Sequence, residues 1–483
     1  MHDRRHDHAE RPQDAGTDQR PWALLILLCA AQFMVILDAT VVNVALPSIR
    51  RALGFPPTEL QWVVTAYVLA TGGLLLLGGR AADLLGRRRI FLAGLATFTA
   101  ASLASGLAPS SGALIAARAA QGVGAALLSP AALSILTTSY TGAQRARALS
   151  TWGAIGGAGA AAGVLLGGIL TSLLDWRWVF FINVPVGLLT AVIALRLIPS
   201  GQAASMWPAL RRLDLPGAAT LVAGLVVLVY ALQGAATHGW ASARTIVLLA
   251  AAAALLAAFI SIERRARQPL IAPSVWRLRS LVSSATVMLG VTAILVGTSF
   301  LNTLFFQNVL GASPLLTGVE FLPGVLTVGV AAHLGPQLLT RFGARPVIAA
   351  GLLLAAAGDL VLSGAPANAS YVVDLLPGFV LLGLGVGLTF VSISVTSMSD
   401  VDHDHAGLAS GMITTAHELG GALGVSLFSA VAFGASGATG VGLVTGYGRG
   451  TLAGAAIAAA LALVAVLAVP QLRPTAAQRV ALH

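Results

Sequence analysis

The chain has 483 residues, 57% of them hydrophobic and only 10% charged, with a mean hydropathy of +0.86. Soluble domains carry about 25% charged residues, so a soluble globular protein is excluded and a polytopic membrane protein is implied. The net charge of +10 raises the question of a nucleic-acid partner, which the placement of that charge answers below.

Residues 1–21 are polar, with five acidic side chains, four arginines and His2, His6 and His8. They lack the basic start and small-residue cleavage site of a signal peptide. A disordered cytoplasmic tail is expected there. The run from Trp22 to Pro47 is apolar except for a few polar positions, and Asp38 sits in its middle. A helix of that length spans a hydrocarbon core of roughly 30 Å. An ionised carboxylate at mid-helix costs on the order of 3 kcal/mol on insertion scales, so Asp38 calls for a partner or a proton.

Apolar windows of helical length then recur, separated by Arg, Gly, Pro and Ser. Six centre on 22–43, 59–78, 90–107, 113–136, 148–173 and 179–197. Two more follow at 215–233 and 245–262, and a last six at 281–308, 315–339, 346–363, 372–396, 406–433 and 451–469. The expected organisation is a six-helix bundle over 22–197, two extra helices with linkers over 198–280, a second six-helix bundle over 281–469 and a cytoplasmic tail over 470–483.

Arginine placement tests this count, because short cytoplasmic loops are enriched in basic residues. All 28 basic residues are arginine. With both termini inside, 22 arginines fall inside, 5 fall outside (Arg50, Arg51, Arg177, Arg244 and Arg449) and Arg118 lies within a span. The charge therefore belongs to membrane topology rather than to a nucleic-acid surface. One inside loop, 400–405, reads DVDHDH and has no arginine.

The 6 + 2 + 6 pattern points to an internal repeat. The stretch GRAADLLGRRR from Gly79 and the stretch PQLLTRFGAR from Pro336 occupy equivalent places in the two halves. Each has a hydrogen-bonding side chain three residues before a glycine (Asp83 before Gly86, Thr340 before Gly343) and arginine after it.

The first of these stretches resembles the loop signature of the major facilitator superfamily. Leu37-Asp38-x-Thr40-x-Val42-Asn43-Val44-Ala45-Leu46-Pro47 is similar to the first-helix signature of its fourteen-spanner drug:proton antiporters. Arg118-x-x-Gln121-Gly122-x-Gly124 resembles the fourth-helix signature, and Trp176-Arg177-Trp178-x-Phe180-Phe181-Ile182-Asn183-x-Pro185 the entry into helix six. The resemblance covers nearly the whole chain. It implies an all-α fold of fourteen transmembrane helices that exports hydrophobic, often cationic small molecules in exchange for protons. It departs from the family at one place. The fifth-helix signature Gly-Pro-x-x-Gly-Gly is here Gly163-Val164-Leu165-Leu166-Gly167-Gly168. The missing proline leaves open an uncoupled facilitator or a dedicated exporter of one self-made metabolite.

Candidate residues follow. Asp38, Arg118 and Glu418 are the expected coupling groups. Burial favours a neutral acid and a nearby arginine an ionised one, so a pair can be poised between the two. The alternative for Asp38 and Arg118 is a purely structural ion pair. Glu418 lies deep in the thirteenth span, with His417 pointing about 100° away. Glu320 and Asp359, nearer the outer span ends, are expected to reach water, and His333 to be a satisfied core group. Gln32, Asn43, Gln121, Asn302 and Gln307 are expected to join Asp38 and Glu418 in facing a midplane substrate cavity.

Gly159, Gly163 and Gly167 form a seam at spacing four, expected to let the two halves slide. Gly79 and Gly86 are expected to make tight turns, with Asp83 capping a helix or pairing with Arg87. Arg87, Arg88 and Arg89 are expected to latch onto the acidic loop at Asp400, Asp402 and Asp404. His403 and His405 are too loosely spaced for a metal site, and without lysine there is no Walker loop. Neither metal nor cofactor is implied, and the chain is not expected to be an enzyme. A small-molecule substrate, protons and the bilayer are the expected partners, and a monomer in the cell membrane the expected form. A receptor or scaffold is the alternative of another class.

Overall fold

The computed structural model describes residues 19–56, 59–199, 213–266, 269–270, 275, 278–401, 406–434 and 441–471. The tail up to residue 18, Arg211, Arg212 and residues 402–405 lie outside the described residues. The expectations placed on the tail, on Asp402 and Asp404 and on His403 and His405 therefore have no structural counterpart.

Fourteen helices among the described residues are long and apolar enough to cross a bilayer. The first six are α1 (Gln19–Leu53), α2 (Trp62–Leu85), α3 (Arg87–Gly106), α4 (Ser111–Ser139), α5 (Gly142–Leu173) and α6 (Trp178–Leu197). Two follow, α7 (Leu215–His238) and α8 (Ala243–Arg265). The last six are α9 (Arg279–Asn308), α10 (Pro314–Phe342), α11 (Ala344–Ser363), α12 (Tyr371–Ser397), α13 (Ala406–Phe433) and α14 (Val441–Ala468).

Local chemistry sets several ends. Ser110, Asp214, Ser242 and Ser313 each accept a hydrogen bond from the backbone N–H three residues on, capping α4, α7, α8 and α10. Gly86 and Gly343 adopt φ of +98° and +85°, the region that favours glycine, and divide α2 from α3 and α10 from α11. These are the two glycines of the sequence repeat. Gly79, by contrast, lies inside α2 and makes no turn. α1 runs through Pro47 to Leu53, ten residues past its apolar window, and α14 starts ten residues before its window. Arg449 thus sits in a helix rather than a loop.

The two sets of six helices pack alike. α1 lies on α5, α2 on α4 and α3 on α4; correspondingly α9 lies on α13, α10 on α12 and α11 on α12. The sets meet along two seams, α2 with α13 and α5 with α10. α7 covers the α2–α13 seam, touching both helices, and α8 packs on α7. Gly73 leaves the space that Val222 of α7 occupies.

The α5–α10 seam is closed at the end away from Gly86. There the Ser172 hydroxyl accepts a 3.0 Å bond from the Leu315 N–H, and Gln307 of α9 donates at 2.9 Å to the Val44 carbonyl of α1. Gly168 abuts Pro314 and Leu315, and Gly318 abuts the Val164 carbonyl. Toward the Gly86 face the seam parts. Gly153, Gly156 and Gly157 on α5 and Gly329 on α10 have open space where a side chain would stand.

The glycine seam of α5 has a different partner from the one expected. Gly159, Gly163 and Gly167 pack against Ile36, Thr40 and Val41 of α1, within the same half. Val164 and Gly168, one position along, meet the other half, as Ser172 does. Helix propensity favours Ala over Gly by about 1 kcal/mol. Gly153→Ala, in open space, should therefore raise thermal stability in detergent by about that amount. Gly163→Ala, driven into Thr40 and the Leu37 carbonyl, should lower it by about 1–3 kcal/mol.

Candidate functional site

Asp38 lies at the centre of the first half, 0% exposed, against an Arg118 that is 1% exposed. The helices α1 and α4 bring them together at 2.6 Å between Oδ2 and the guanidinium. That same guanidinium nitrogen donates to Gln121 Oε1 at 2.7 Å, and Arg118 Nε donates to the Val63 carbonyl at 3.0 Å. Gln121 in turn donates to Asp38 Oδ1 at 2.8 Å. The positions 118 and 121, three apart on one helix, share a face, so one helix supplies both donors.

Asn183 completes the cage. Its amide donates to Asp38 Oδ1 at 2.8 Å and to Ser102 Oγ at 3.1 Å, while Ser102 donates to the Phe180 carbonyl at 2.9 Å. The Tyr67 ring lies over the guanidinium with its centroid 4.3 Å from Cζ, and Phe180 lies at 5.6 Å. Asp38 therefore receives three hydrogen bonds, and α1, α2, α3, α4 and α6 all contribute to the cage. Asn183, Ser102 and Tyr67 were missed in the sequence reading. Asn183 carries a signal in the sequence: it is a polar residue within the Trp176–Pro185 motif at the mouth of an apolar helix.

Gln121 and Asp38 consequently face each other and not a cavity. Asn302 is also turned inward, accepting a 2.7 Å bond from the Tyr447 hydroxyl on α14. Gln307 clasps α1 at the closed end, as described. Gln32 and Asn43 of α1 are half-buried, and each has a side-chain oxygen buried without a partner. Those two are the members of the expected cavity set with acceptor capacity to spare.

Glu418 projects from α13 against α2, where its Cβ occupies the space left by Gly72. No described residue hydrogen-bonds or ion-pairs with its carboxyl. Asp38 and Glu418 both lie within electrostatic reach of Tyr67, so the two acids flank one stretch of α2. His417 points away into its own half, 3.0 Å from the Thr292 hydroxyl and beside Phe390.

Among the remaining expected sites, Asp359 is 0% exposed and does not reach water; the Thr298 hydroxyl bonds it at 3.0 Å. Glu320 is half-buried, with one carboxyl oxygen enclosed and unpaired. His333 is exposed rather than a core group. At the Gly86 turn, Asp83 is exposed and neither caps α3 nor pairs with Arg87. Arg87 donates to Thr138 at 3.0 Å and Arg88 to the Leu195 carbonyl at 2.9 Å, so both tie down their own half. Among the described residues no group of three His, Cys, Asp or Glu side chains could hold a metal ion.

One acid is thus caged inside one helical half, and a second lies at the seam between the halves. The sequence profile of the Major Facilitator Superfamily matches residues 28–425. The chain belongs to that superfamily. It is similar to the puromycin resistance protein pur8 of Streptomyces alboniger, 44% identical over 88% of this chain and 84% of that one. It is 42% identical to the cephamycin export protein CmcT of Amycolatopsis lactamdurans, over 86% of each chain. The multidrug resistance protein Stp of Mycobacterium tuberculosis is 36% identical over 83% of this chain and 73% of its own. Among solved structures, the peptide transporter POT in complex with sulfate superposes with a TM-score of 0.67 at 16% identity, over 94% and 96% of the two chains. At that identity the likeness concerns the fold alone. This protein is thus a multi-pass membrane transporter of small molecules with the major facilitator fold.

Truncating one member of a buried ion pair strands the other and costs about 3–5 kcal/mol. Arg118→Ala should therefore destabilise the detergent-solubilised protein strongly. The double variant Asp38→Ala/Arg118→Ala should recover part of that loss, and the thermal shifts of the four proteins give the coupling.

Proposed function

We propose that this superfamily member exports amphipathic, often cationic small molecules, antibiotics among them, in exchange for protons. The observation that carries the reading is Glu418: a carboxylate on the seam between the halves, against Gly72, with no partner among the described residues. An acid held there can take a proton or a substrate cation, depending on which face the seam admits. The family supports export, since the relatives above carry names of antibiotic resistance and export proteins.

The arginine asymmetry supports a cytoplasmic Gly86 face, with both termini on that side of the cell membrane. The α5–α10 seam is then open inward and clasped outward. Substrate enters from the cytoplasm between the halves, near Gln32 and Asn43, with Glu418 on the far wall. Outward opening requires release of the clasp at Ser172, Leu315 and Gln307. Inward closure is the point at which Arg87, Arg88 and Arg89 meet the acidic loop at 400–405, with Gly79, Asp83 and Gly86 framing the turn. The carrier works as a monomer, because each half of the seam is supplied within one chain.

A second reading is favoured by α5. Val164 stands where the family proline is expected, and α5 runs unbroken from Gly142 to Leu173. The two more similar relatives above are each named for one antibiotic. The names suit a dedicated exporter of one compound, and the unbroken α5 suits a facilitator without proton coupling.

In everted vesicles energised with an acidic lumen, the protein should accumulate substrate, and dissipating the gradient should release it. Glu418→Gln should bind substrate yet lose at least tenfold of its gradient-driven uptake. Retention of full uptake in Glu418→Gln would remove that acid from the mechanism. In a Cys29→Ser background, oxidising Ser172→Cys/Leu315→Cys should stop export and a reductant should restore it. Undiminished export with the crosslink formed would refute the outward clasp.

A further inference from the structure

The second half holds an acid that the mechanism above does not use. Asp359, on α11, is wholly buried, and both its oxygens receive the Thr298 hydroxyl of α9, at 3.0 and 3.3 Å. Gly454 of α14 leaves the space that Oδ2 fills, closed on its other side by Phe428 of α13. Tyr447 of α14 is its titratable neighbour, held at 2.7 Å to Asn302 of α9 and stacked on Phe305 at 4.2 Å between centroids. No charged side chain of α9, α12, α13 or α14 faces it among the described residues.

The internal repeat gives this acid a counterpart. α3, α1 and α6 of the first half correspond to α11, α9 and α14 of the second. Counting from Arg87 and from Ala344, Ser102 and Asp359 are each the sixteenth residue of their helix. Ser102 sits at the α1–α3–α6 junction and is joined through Asn183 to Asp38. Asp359 sits at the α9–α11–α14 junction and is joined directly to Thr298. Each half thus has one acid at the same three-helix junction, with an opposite treatment of its charge. Asp38 has Arg118 at 2.6 Å. Asp359 has a hydroxyl. An ionised carboxylate with no counter-ion is too costly to bury, so such a group holds a proton instead of a charge.

The junction is also built to move. α14 presents Gly446, Gly448, Gly450 and Gly454 to Ala432, Ser363, Leu301 and Asp359 in turn. Gly446, Gly450 and Gly454 lie on one side of α14 and Gly448 on the opposite side; without side chains at these positions α14 has little of its own to interlock with α9 and α11. Asp359 is four residues from the end of α11, about 6 Å along the axis from the outer face.

We propose that Asp359 is a proton-carrying site of the second half, separate from Asp38 and Glu418, loaded from the outer face and emptied when α14 shifts. The inference rests on the proton-exchange reading for its place in the transport cycle, but not for the proton itself. The carboxylate takes one proton from solution and returns one, and no other bond changes.

Infrared difference spectra of the full-length protein test it directly. At neutral pH the substrate-free protein should show a protonated-carboxyl C=O stretch that Asp359→Asn loses and Thr298→Val shifts. Adding substrate should convert that band to carboxylate. In vesicles, Asp359→Asn should export with a lower proton-to-substrate ratio than the unaltered chain. A band that Asp359→Asn leaves in place, or one that substrate never changes, overturns the proposal. If the band responds to substrate while no protons cross the membrane with it, exchange fails as the drive and the Asp359 site stands.

Discussion

Burying charge in a low-dielectric interior is the constraint on which this architecture turns. A carboxylate and a guanidinium each lose several kcal/mol of hydration there, and their mutual attraction offsets it only with good geometry and full hydrogen bonding. The Asp38–Arg118 pair has a 2.6 Å contact and neighbours drawn from five helices. Asp38 alone could not satisfy the Arg118 N–H groups; Val63 and Gln121 accept from two of them, and the guanidinium lies on the Tyr67 face. The cage therefore fixes the relative positions of α1, α2, α3, α4 and α6, and with them the shape of the first half.

Backbone proximity is the complementary constraint. Apolar side chains gain little from packing against one another in lipid, so helices associate where small residues let backbones approach. Gly163 and Gly167 bring α5 against α1, and Gly122 brings α4 against Tyr67 on α2. Without the Gly122 contact α4 and its donors Arg118 and Gln121 would stand farther from α2 and the Val63 carbonyl. The same device at Gly72 admits the Glu418 side chain to the seam, which makes a structural glycine a determinant of the site.

The fourteen helices were legible because each is a long apolar window bounded by arginine or turn residues, and hydropathy is a property of single segments. The Asp38–Arg118 pairing was legible because helix rise places both at similar depth. Azimuth was not. Whether Asn302 faces the seam or α14, and whether the glycines of α5 face α1 or α10, depends on how each helix is rotated in its bundle. Two helical faces 100° apart share the same depth, so counting residues does not separate them. Val164 and Gly163 are adjacent in sequence, yet they touch different halves of the molecule. Asn183 and Ser102 escaped notice for a related reason: their role appears only when α3 and α6 are brought to Asp38 together.

The division of labour between the acids follows from their surroundings. Removing the Asp38 side chain would leave Arg118 enclosed with only neutral acceptors, an uncompensated buried cation. That cost makes the pair a strong lever on the fold, since any event that draws Arg118 away must rearrange five helices at once. Glu418 carries no such penalty, because no buried cation depends on it. In the proposed cycle the seam acid is thus free to change its charge, and the caged acid is the element that resists deformation of the half it holds. An exporter needs both, a site whose charge responds to the side it faces and a rigid body for that change to move.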